Sequence, residues 1–542
     1  MAHIQLIGIV EPKCEDGKIW KFPYAFPVII RELQKTSHTF DLVDTHLHKK
    51  TRRELLDHLA ACEAKVYGIS AYSEGYKFAK ETAQAIRARH PDAVIIAGGL
   101  LAKSDETLLK CTEIDIAVTA ADGQFVLPEL LDALDRGPDA DLSGITGISY
   151  RRDGQVIRTP VRPTMSKEEY QNSERPAYEY FDKELTELAR NVASLDGIPV
   201  KGFPLLVTRG CPFECTFCGH MYGRKFLRRK WDDFFDEVEF LVKRYGLEGV
   251  YSYDTNLFLN EREVEEYCRT YRERGCTFKI VAEVRPTFGN LEMFCKLKEH
   301  GVEVIIFGWE SGSRKMLNVM RKKTDIDTVL RVARDAAAAG IVIYGNFLFG
   351  MPGESKETIR DTRRFMFELD KVITRQEADF RARGIHYTAA SGYSYSVLMA
   401  LPTSEVFDRI VEKGLIPDMD LYLSRLDREA YSHYFLKNHS KHHGSDINLT
   451  DFSSKDALRA FIRYSMALTK VRAWWLSPGL SGRKLGELGR QLRDTAVNGL
   501  GYVLLAARDR VLGVPGAIPR DQRHALAAML AKQSEMKGSL LH

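Results

Sequence analysis

The sequence predicts an α/β fold in three parts: an N-terminal doubly wound parallel sheet, a partial (β/α)6 barrel, and a mainly helical C-terminal domain. Three observations carry this reading. Apolar strand-like runs alternate with helical patterns from residue 4 to about 135, a second alternating series opens at residue 203, and beyond about 400 the pattern is mainly helical.

The first series runs in order through IQLIGIV, a helix around FPVIIRELQ, FDLVD, a helix through Leu59, VYGISAY, a helix through Ile86, AVIIAGGL and IDIAVTA. Right-handed crossovers turn such alternation into a sheet covered on both faces, with ligands expected at the carboxyl ends of the strands. Residues 141–200 change character: ISYRRDGQVIRTPVRP reads as a hairpin turning on Asp153-Gly154, followed by a polar, Pro-containing linker. The second series has six runs, FPLLVTR, GVYSYD, FKIVAEV, VEVIIFGW, VIYGNFLFG and IHYTAAS, separated by helices of ordinary length. Six strand-helix units suit a partial barrel with its site at the carboxyl-end loops. The expected units are therefore 1–140, a linker 141–200, 201–395, and 396–542.

Composition narrows the function classes. The 542 residues are 44% hydrophobic and 28% charged, which supports globular protein over disorder or coiled coil. A net charge of +4 is too small for this length to imply nucleic acid binding. No basic leader with an apolar core opens the chain and no apolar run approaches 18 residues, so a cytoplasmic location is expected. In a reducing compartment nine sparse cysteines do not read as disulfides. Cys14, Cys62, Cys111, Cys268, Cys276 and Cys295 stand isolated, as small core or surface residues.

Cys211, Cys215 and Cys218 form one cluster in TRGCPFECTFCGH, where Pro212 and Gly219 argue for a loop wrapped around something. Thiolates select soft metals. A structural zinc site needs four ligands and would draw on His220, whereas three Cys on a four-iron cluster leave one iron open to the amino and carboxylate groups of a small molecule.

The triplet, with Phe217 before its last Cys, resembles the signature of the radical S-adenosylmethionine (radical SAM) enzymes, and the likeness continues through YSYDTNLFLN, VAEVRP, FGWESGSRKMLNVMRKK and NFLFGMPGES. These segments resemble strand ends of the cobalamin-dependent branch, over roughly residues 203–370. The resemblance implies that the cysteines bind a [4Fe-4S] cluster, that Asp254, Glu283, Arg285, Glu310 and Ser311 face S-adenosylmethionine or substrate, and that Gly350, Pro352 and Gly353 turn tightly beside them. Taken alone, Gly350–Gly353 is an ordinary turn and Glu310 a helix cap. The basic stretch Arg224, Lys225, Arg228, Arg229 and Lys230 reads as a solvated helix start.

In the N-terminal series no Gly-x-Gly-x-x-Gly follows the first strand, which argues against a nicotinamide cofactor. Ser70, Tyr72 and Ser73 after the third strand, Gly98 and Gly99 after the fourth and Gly123 after the fifth resemble a Rossmann-like cobalamin-binding domain, whose small residues admit the nucleotide tail. The first strand leads into EPKCEDGKIW, without the histidine of cobalt-ligating relatives. His46, in Asp44-Thr45-His46, reads as an exposed loop histidine, and Tyr72 or Tyr76 would then meet the lower face of the corrin, their alternative being aromatic packing on the sheet edge.

From Lys470 to Arg523 ten Lys and Arg oppose four Asp and Glu, beside Trp474 and Trp475. A solvated helix is the plainer reading and membrane contact the less favoured one. His433, His439, His442 and His443 lack ligand spacing and read as a solvated loop. The resemblance as a whole implies a radical SAM methyltransferase that uses methylcobalamin and a 5′-deoxyadenosyl radical to methylate an unactivated carbon. The substrate would be a small molecule or lipid-like, and the electron donor a flavodoxin or ferredoxin. Relatives that cyclise, contract rings or methylate phosphorus supply the alternative. A noncatalytic cofactor-binding scaffold is a third reading.

Overall fold

The structure is a computed structural model, and it describes residues 1–9, 22–137, 140–191, 200–219, 221–385, 392–430 and 449–452. Cys14, His220, the histidine cluster at 433–443 and the basic Trp-containing stretch 470–523 lie outside the described residues.

Seven strands form the first sheet: β1 (His3–Ile9), β2 (Thr39–Asp44), β3 (Val66–Ala71), β4 (Val94–Gly98), β5 (Ile116–Val118), β6 (Ile148–Arg152) and β7 (Gln155–Arg158). Their order is β2-β1-β3-β4-β5-β6-β7, with the first five parallel. The chain winds outward from β1 in both directions, which creates a topological switch point between β1 and β3 at their carboxyl ends. The hairpin turns where expected, with Asp153 and Gly154 both at positive φ as its two central residues. Its strands do not stand apart in a linker: β6 pairs antiparallel with β5 and so extends the first sheet. Tyr150 and Ile148, apolar on alternate positions, bury against that sheet's core.

Two short strands, β9 (Thr208–Arg209) and β10 (Leu227–Arg228), pair antiparallel and bracket the cysteine loop. The second sheet contains β8 (Gly202–Leu205), β11 (Gly249–Ser252), β12 (Lys279–Val284), β13 (Val302–Glu310), β14 (Val342–Phe349) and β15 (Gly392–Val397). All six are parallel in the order β15-β14-β13-β12-β11-β8. Because each strand lies beside its predecessor, the winding goes one way only, as in part of a barrel, and every carboxyl end opens on the same side. Pro204 is tolerated in β8 because β8 is an edge strand and loses no central ladder bond.

The sixth strand is not where the apolar run suggested. It is GYSYSV, whereas 386–391 of IHYTAAS lie outside the described residues. Alternation decides its position: Tyr393 and Tyr395 stand two residues apart on one face, packing against Phe347, and Tyr393 also meets Trp309. The helices Glu261–Glu273, Leu291–Glu299 and Ile326–Ala338 start on polar caps, with Asn260, Asn290 and Asp325 accepting from the backbone N–H three residues on. C-terminal to the second sheet, the described helices are Glu405–Glu412 and Met419–Ala430. The second of these packs on the first sheet around Ser73–Gly75, sharing one buried cluster with Ile9, Tyr76 and Leu101.

Candidate active site

The cysteine loop leaves β9 at Arg209 and returns at Leu227. Cys215 is buried and Cys211 and Cys218 are half-buried. Backbone bonds shape the loop: Cys211 N–H donates to Gly223 O at 3.2 Å and Cys218 N–H to Cys215 O at 3.2 Å. Elements distant in sequence then clamp it. Thr216 donates from its N–H to Met320 O and from its hydroxyl to Val319 O, both at 3.1 Å, while Val406 N–H donates to Thr216 O at 3.1 Å. The segment ALPTSEVF is therefore a wall of the cysteine loop, and Gly219 lies so close to Thr403 that a Cβ there would stand 2.6 Å from the Thr403 hydroxyl.

Polar side chains from separate loops gather around the cysteine loop, two of them at the thiols. Asn256, after β11, directs its amide nitrogen to Cys211 Sγ at 3.5 Å. Arg285, after β12, stacks its guanidinium 3.7 Å from the centre of the Phe213 ring, points Nη1 at Cys215 Sγ at 3.9 Å, and donates to Lys322 O. Lys322 lies 5.8 Å over the Phe217 ring and donates to Glu310 Oε1 at 2.8 Å. Of these, Asn256 and Lys322 were not singled out by spacing, because a lone Asn or Lys carries no motif; only their place in the quoted strand-end segments pointed to them.

Glu310 is held in an uncommon conformation. Its φ is +61° and Ser311 N–H donates to Trp309 O at 2.7 Å, closing a γ-turn around it. A non-glycine residue at positive φ is strained, and such strain concentrates at functional positions. The turn sits where β13 slips register against β14, between Gly308 and Glu310. A side chain at Gly308 would press on the Glu310–Lys322 pair, since a Cβ would lie 2.5 Å from Glu310 Oε1 and 2.9 Å from Lys322 Nζ.

Burial, followed by the neighbouring Asp254 and Glu310 carboxylates, pushes the Glu283 carboxyl up to about 8. Asp254 differs from the sequence expectation. It is 1% exposed, and its oxygens accept from Val207 N–H, Thr208 N–H, the Thr208 hydroxyl and the Ser252 hydroxyl, so it ties the start of the cysteine loop to β11. Burial still raises its carboxyl to about 6 against the pull of those donors. Ser311 is likewise engaged inward, 3.0 Å from the Thr362 hydroxyl.

Gly350, at φ +93°, donates its N–H to Glu354, whose other oxygen has no hydrogen-bond partner although the residue is wholly buried. Burial raises the Glu354 carboxyl to about 8 against an ordinary value of 4.5. Between those values the folded chain keeps a proton that the unfolded chain releases, so stability falls as pH rises from about 4.5 to about 8. Glu354→Gln should therefore gain stability over the native chain at pH 8, on the order of a few kcal/mol, and lose that advantage near pH 5. Urea midpoints of both proteins at the two pH values check this, and a difference independent of pH would contradict it.

At the first sheet, Tyr72 follows β3 at the switch point, 58% exposed, within electrostatic reach of Tyr222 in the cysteine loop. Tyr76 is a correction: it is 0% exposed and donates to Asp420, which also pairs with Lys80 at 2.8 Å, so the helix Met419–Ala430 rather than a cofactor covers it. Ser73 is buried under the same helix, and Ser70 lies in the ladder opposite Gly8 and Gly98. His46 is also buried, at 7% exposure, rather than solvated. The paired glycines have separate roles. Gly99, at φ +75°, would bring a Cβ 2.6 Å from Ala71 O, whereas a Cβ at Gly98 would meet no atom within 4 Å. Gly123 begins the helix after β5, 3.2 Å from Val118 in the same sense.

A family model of the radical SAM superfamily matches residues 205–366, the span that contains the cysteine loop and β11 to β14. The chain carries a radical SAM domain. An uncharacterized methyltransferase of Pyrococcus horikoshii is 25% identical over 346 residues, covering 63% of this chain and 72% of that protein. The anaerobic magnesium-protoporphyrin IX monomethyl ester cyclase of Rubrivivax gelatinosus is 24% identical over 327 residues, 59% of this chain but 57% of the cyclase, so the likeness spans little more than half of that relative. The solved cobalamin-dependent S-adenosylmethionine radical enzyme OxsB, with aqua-cobalamin and S-adenosylmethionine bound, has a TM-score of 0.63 at 14% identity over 100% of this chain and 84% of its own. The doubly wound sheet followed by a partial barrel is thus a fold that the chain shares with OxsB.

The cysteine loop supplies three thiols, a donor set that selects soft-metal groups. Cys211 and Cys215 are near enough to Cys218 to raise its thiol, after burial, to about 11. Asn256 Oδ1 and Arg285 Nε, buried beside the loop, have no hydrogen-bond partner. Such orphaned donors and acceptors suit a polar ligand.

Proposed function

We propose that the chain is a cobalamin-dependent radical SAM methyltransferase acting on an unactivated carbon of a small-molecule substrate. The observation that carries this is the meeting of the cysteine loop, lined by Arg285, Lys322 and Asn256, with the carboxyl-end side of the first sheet, where Asp122 in the turn after β5 pairs with Arg209 at the start of that loop. A four-iron cluster on Cys211, Cys215 and Cys218 would supply the electron for reductive cleavage of S-adenosylmethionine, and a corrinoid against Gly98 and Gly123 would supply the methyl group.

The chain's own residues supply binding and order. Arg285 and Lys322 place positive charge beside the thiolates, and Glu310 and Glu283 present carboxylates suited to the amino group of S-adenosylmethionine. Glu283, with its raised pKa, can hold or release a proton near neutral pH. The buried strand ends keep water from a reactive radical, and rigid strands keep the reacting groups in register. A flavodoxin or ferredoxin would reduce the cluster. Among the described residues no helix is long and apolar enough to cross a membrane.

The likeness to the Rubrivivax cyclase favours one alternative, in which the same radical ends in cyclisation. Anaerobically reconstituted protein given methyl-labelled S-adenosylmethionine and a reductant separates the two. Deoxyadenosine together with about one S-adenosylhomocysteine per chain, and label in the product once a substrate is found, is the expected result. Deoxyadenosine without S-adenosylhomocysteine would establish the cyclase reading. Neither product would leave a noncatalytic scaffold.

A further inference from the structure

A buried ion pair joins the turn after β5 of the first sheet to β9, immediately before the first cysteine. Asp122, in the turn after β5, pairs with the Arg209 guanidinium across 87 positions of sequence, with side-chain exposures of 5% and 11%. The other Asp122 oxygen accepts from Met165 N–H at 3.0 Å, so the carboxylate is held from both sides. The guanidinium lies 5.1 Å from the Tyr170 ring centre and 4.9 Å from that of Tyr222, with Nη1 3.4 Å from Met165 Sδ. Arg209 also pairs with Leu227 in the two-residue ladder that closes the cysteine loop, two positions before Cys211. Tyr222 precedes Gly223, whose carbonyl accepts from Cys211 N–H.

We propose that Asp122 is a positioning residue for the cysteine loop, acting through Arg209 and Tyr222 to set the loop against the switch point of the first sheet. Resting on the functional reading above, this makes the corrinoid-side sheet part of the cluster site: the turn that follows β5 orients the segment bearing Cys211. A buried guanidinium deprived of its carboxylate turns toward water, since an unpaired charge is not retained in a dry site. Arg209 cannot make that turn without loosening the ladder to Leu227 and the stack on Tyr222. The disturbance is therefore confined to 209–223 and does not spread over the second sheet.

Amide hydrogen exchange on the full chain, without added iron or cobalamin, tests this. Asp122→Asn should speed exchange in 209–223 by about tenfold or more while β13 is unchanged, and Asp122→Glu should restore protection to within about threefold. Arg209→Lys, which keeps the charge but not the planar fork, should give an intermediate acceleration and serves if Asp122→Asn does not fold. Unchanged exchange at 209–223, or equal acceleration across both sheets, would overturn the proposal. In protein loaded with iron and cobalamin, Asp122→Asn should also weaken at least about twofold the relaxation of the cob(II)alamin resonance by the reduced cluster. A wild-type chain that loads neither cofactor would sink the functional reading, while the exchange result still decides the role of Asp122.

Discussion

Cys211→Ala, Cys215→Ala and Cys218→Ala should each reduce deoxyadenosine formation by at least about a thousandfold, because a cluster with an open iron needs all three thiolates. Their surroundings predict different behaviour before iron is added. Cys218 has its thiol raised to about 11, by burial first and then by the two neighbouring thiols, so near pH 8 it is protonated in the metal-free chain. Cluster assembly must release that proton, and alkylation of Cys218 should be slow relative to an exposed cysteine. Cys215 is 9% exposed under the Arg285 guanidinium, so its replacement also removes the sulfur that faces a buried cation. Cys268 is the control. It is buried in the helix Glu261–Glu273, 3.7 Å from Lys296 O and away from the loop, and Cys268→Ala should keep cluster content and turnover. Iron content and deoxyadenosine yield are the measurements. Full turnover by any of the three loop variants, or stoichiometric zinc with no iron-dependent cleavage, would defeat the assignment.

Lys322→Met should lower the chain's stability by about 3–5 kcal/mol, since it leaves Glu310 as an unpaired carboxylate in a dry site. The pair is 2.8 Å long with side-chain exposures of 7% and 12%, and Glu310 already occupies a strained γ-turn. With the ammonium gone, the Glu310 charge stands beside Glu283, whose carboxyl it already raises. Removing that charge as well, in Lys322→Met with Glu310→Gln, should recover most of the loss, because the penalty belongs to the orphaned ion. Lys322→Arg should retain the charge but crowd Gly308, where the Lys322 ammonium already lies within 2.9 Å of the position a Cβ would take. The quantity to compare is the denaturation midpoint seen by a probe on the second sheet. A double variant no more stable than Lys322→Met would show that the loss comes from packing of the lysine stem instead.

Much of the architecture is legible because it depends on local periodicity. Runs such as VYGISAY and VIYGNFLFG, separated by helical patterns, specify parallel strands covered by helices, whereas the order β2-β1-β3-β4-β5 is given by the structure. The Asp153-Gly154 turn is similarly local, since both residues tolerate the positive φ it requires. Edges are less legible. Whether β6 and β7 extend the first sheet depends on which edge is uncovered, and the sixth strand is placed by the aromatic partners of Tyr393 and Tyr395.

The cysteine spacing, by itself, determined where soft-metal chemistry would lie in this protein, because three thiols within eight positions are close in any conformation of a short loop. Which side chains surround those thiols was decided only by the tertiary structure. Asn256 and Arg285 reach Cys211 and Cys215 from separate loops and Lys322 lies over Phe217; away from the thiols, Asp254 turns inward to four donors, Tyr76 is covered by Asp420 from 344 positions away, and Asp122 meets Arg209. The physical reason is that a strand's pattern records which face is apolar, whereas a buried charge or hydroxyl must find its partner wherever the fold brings one within about 3 Å, and no periodicity along the chain encodes that meeting.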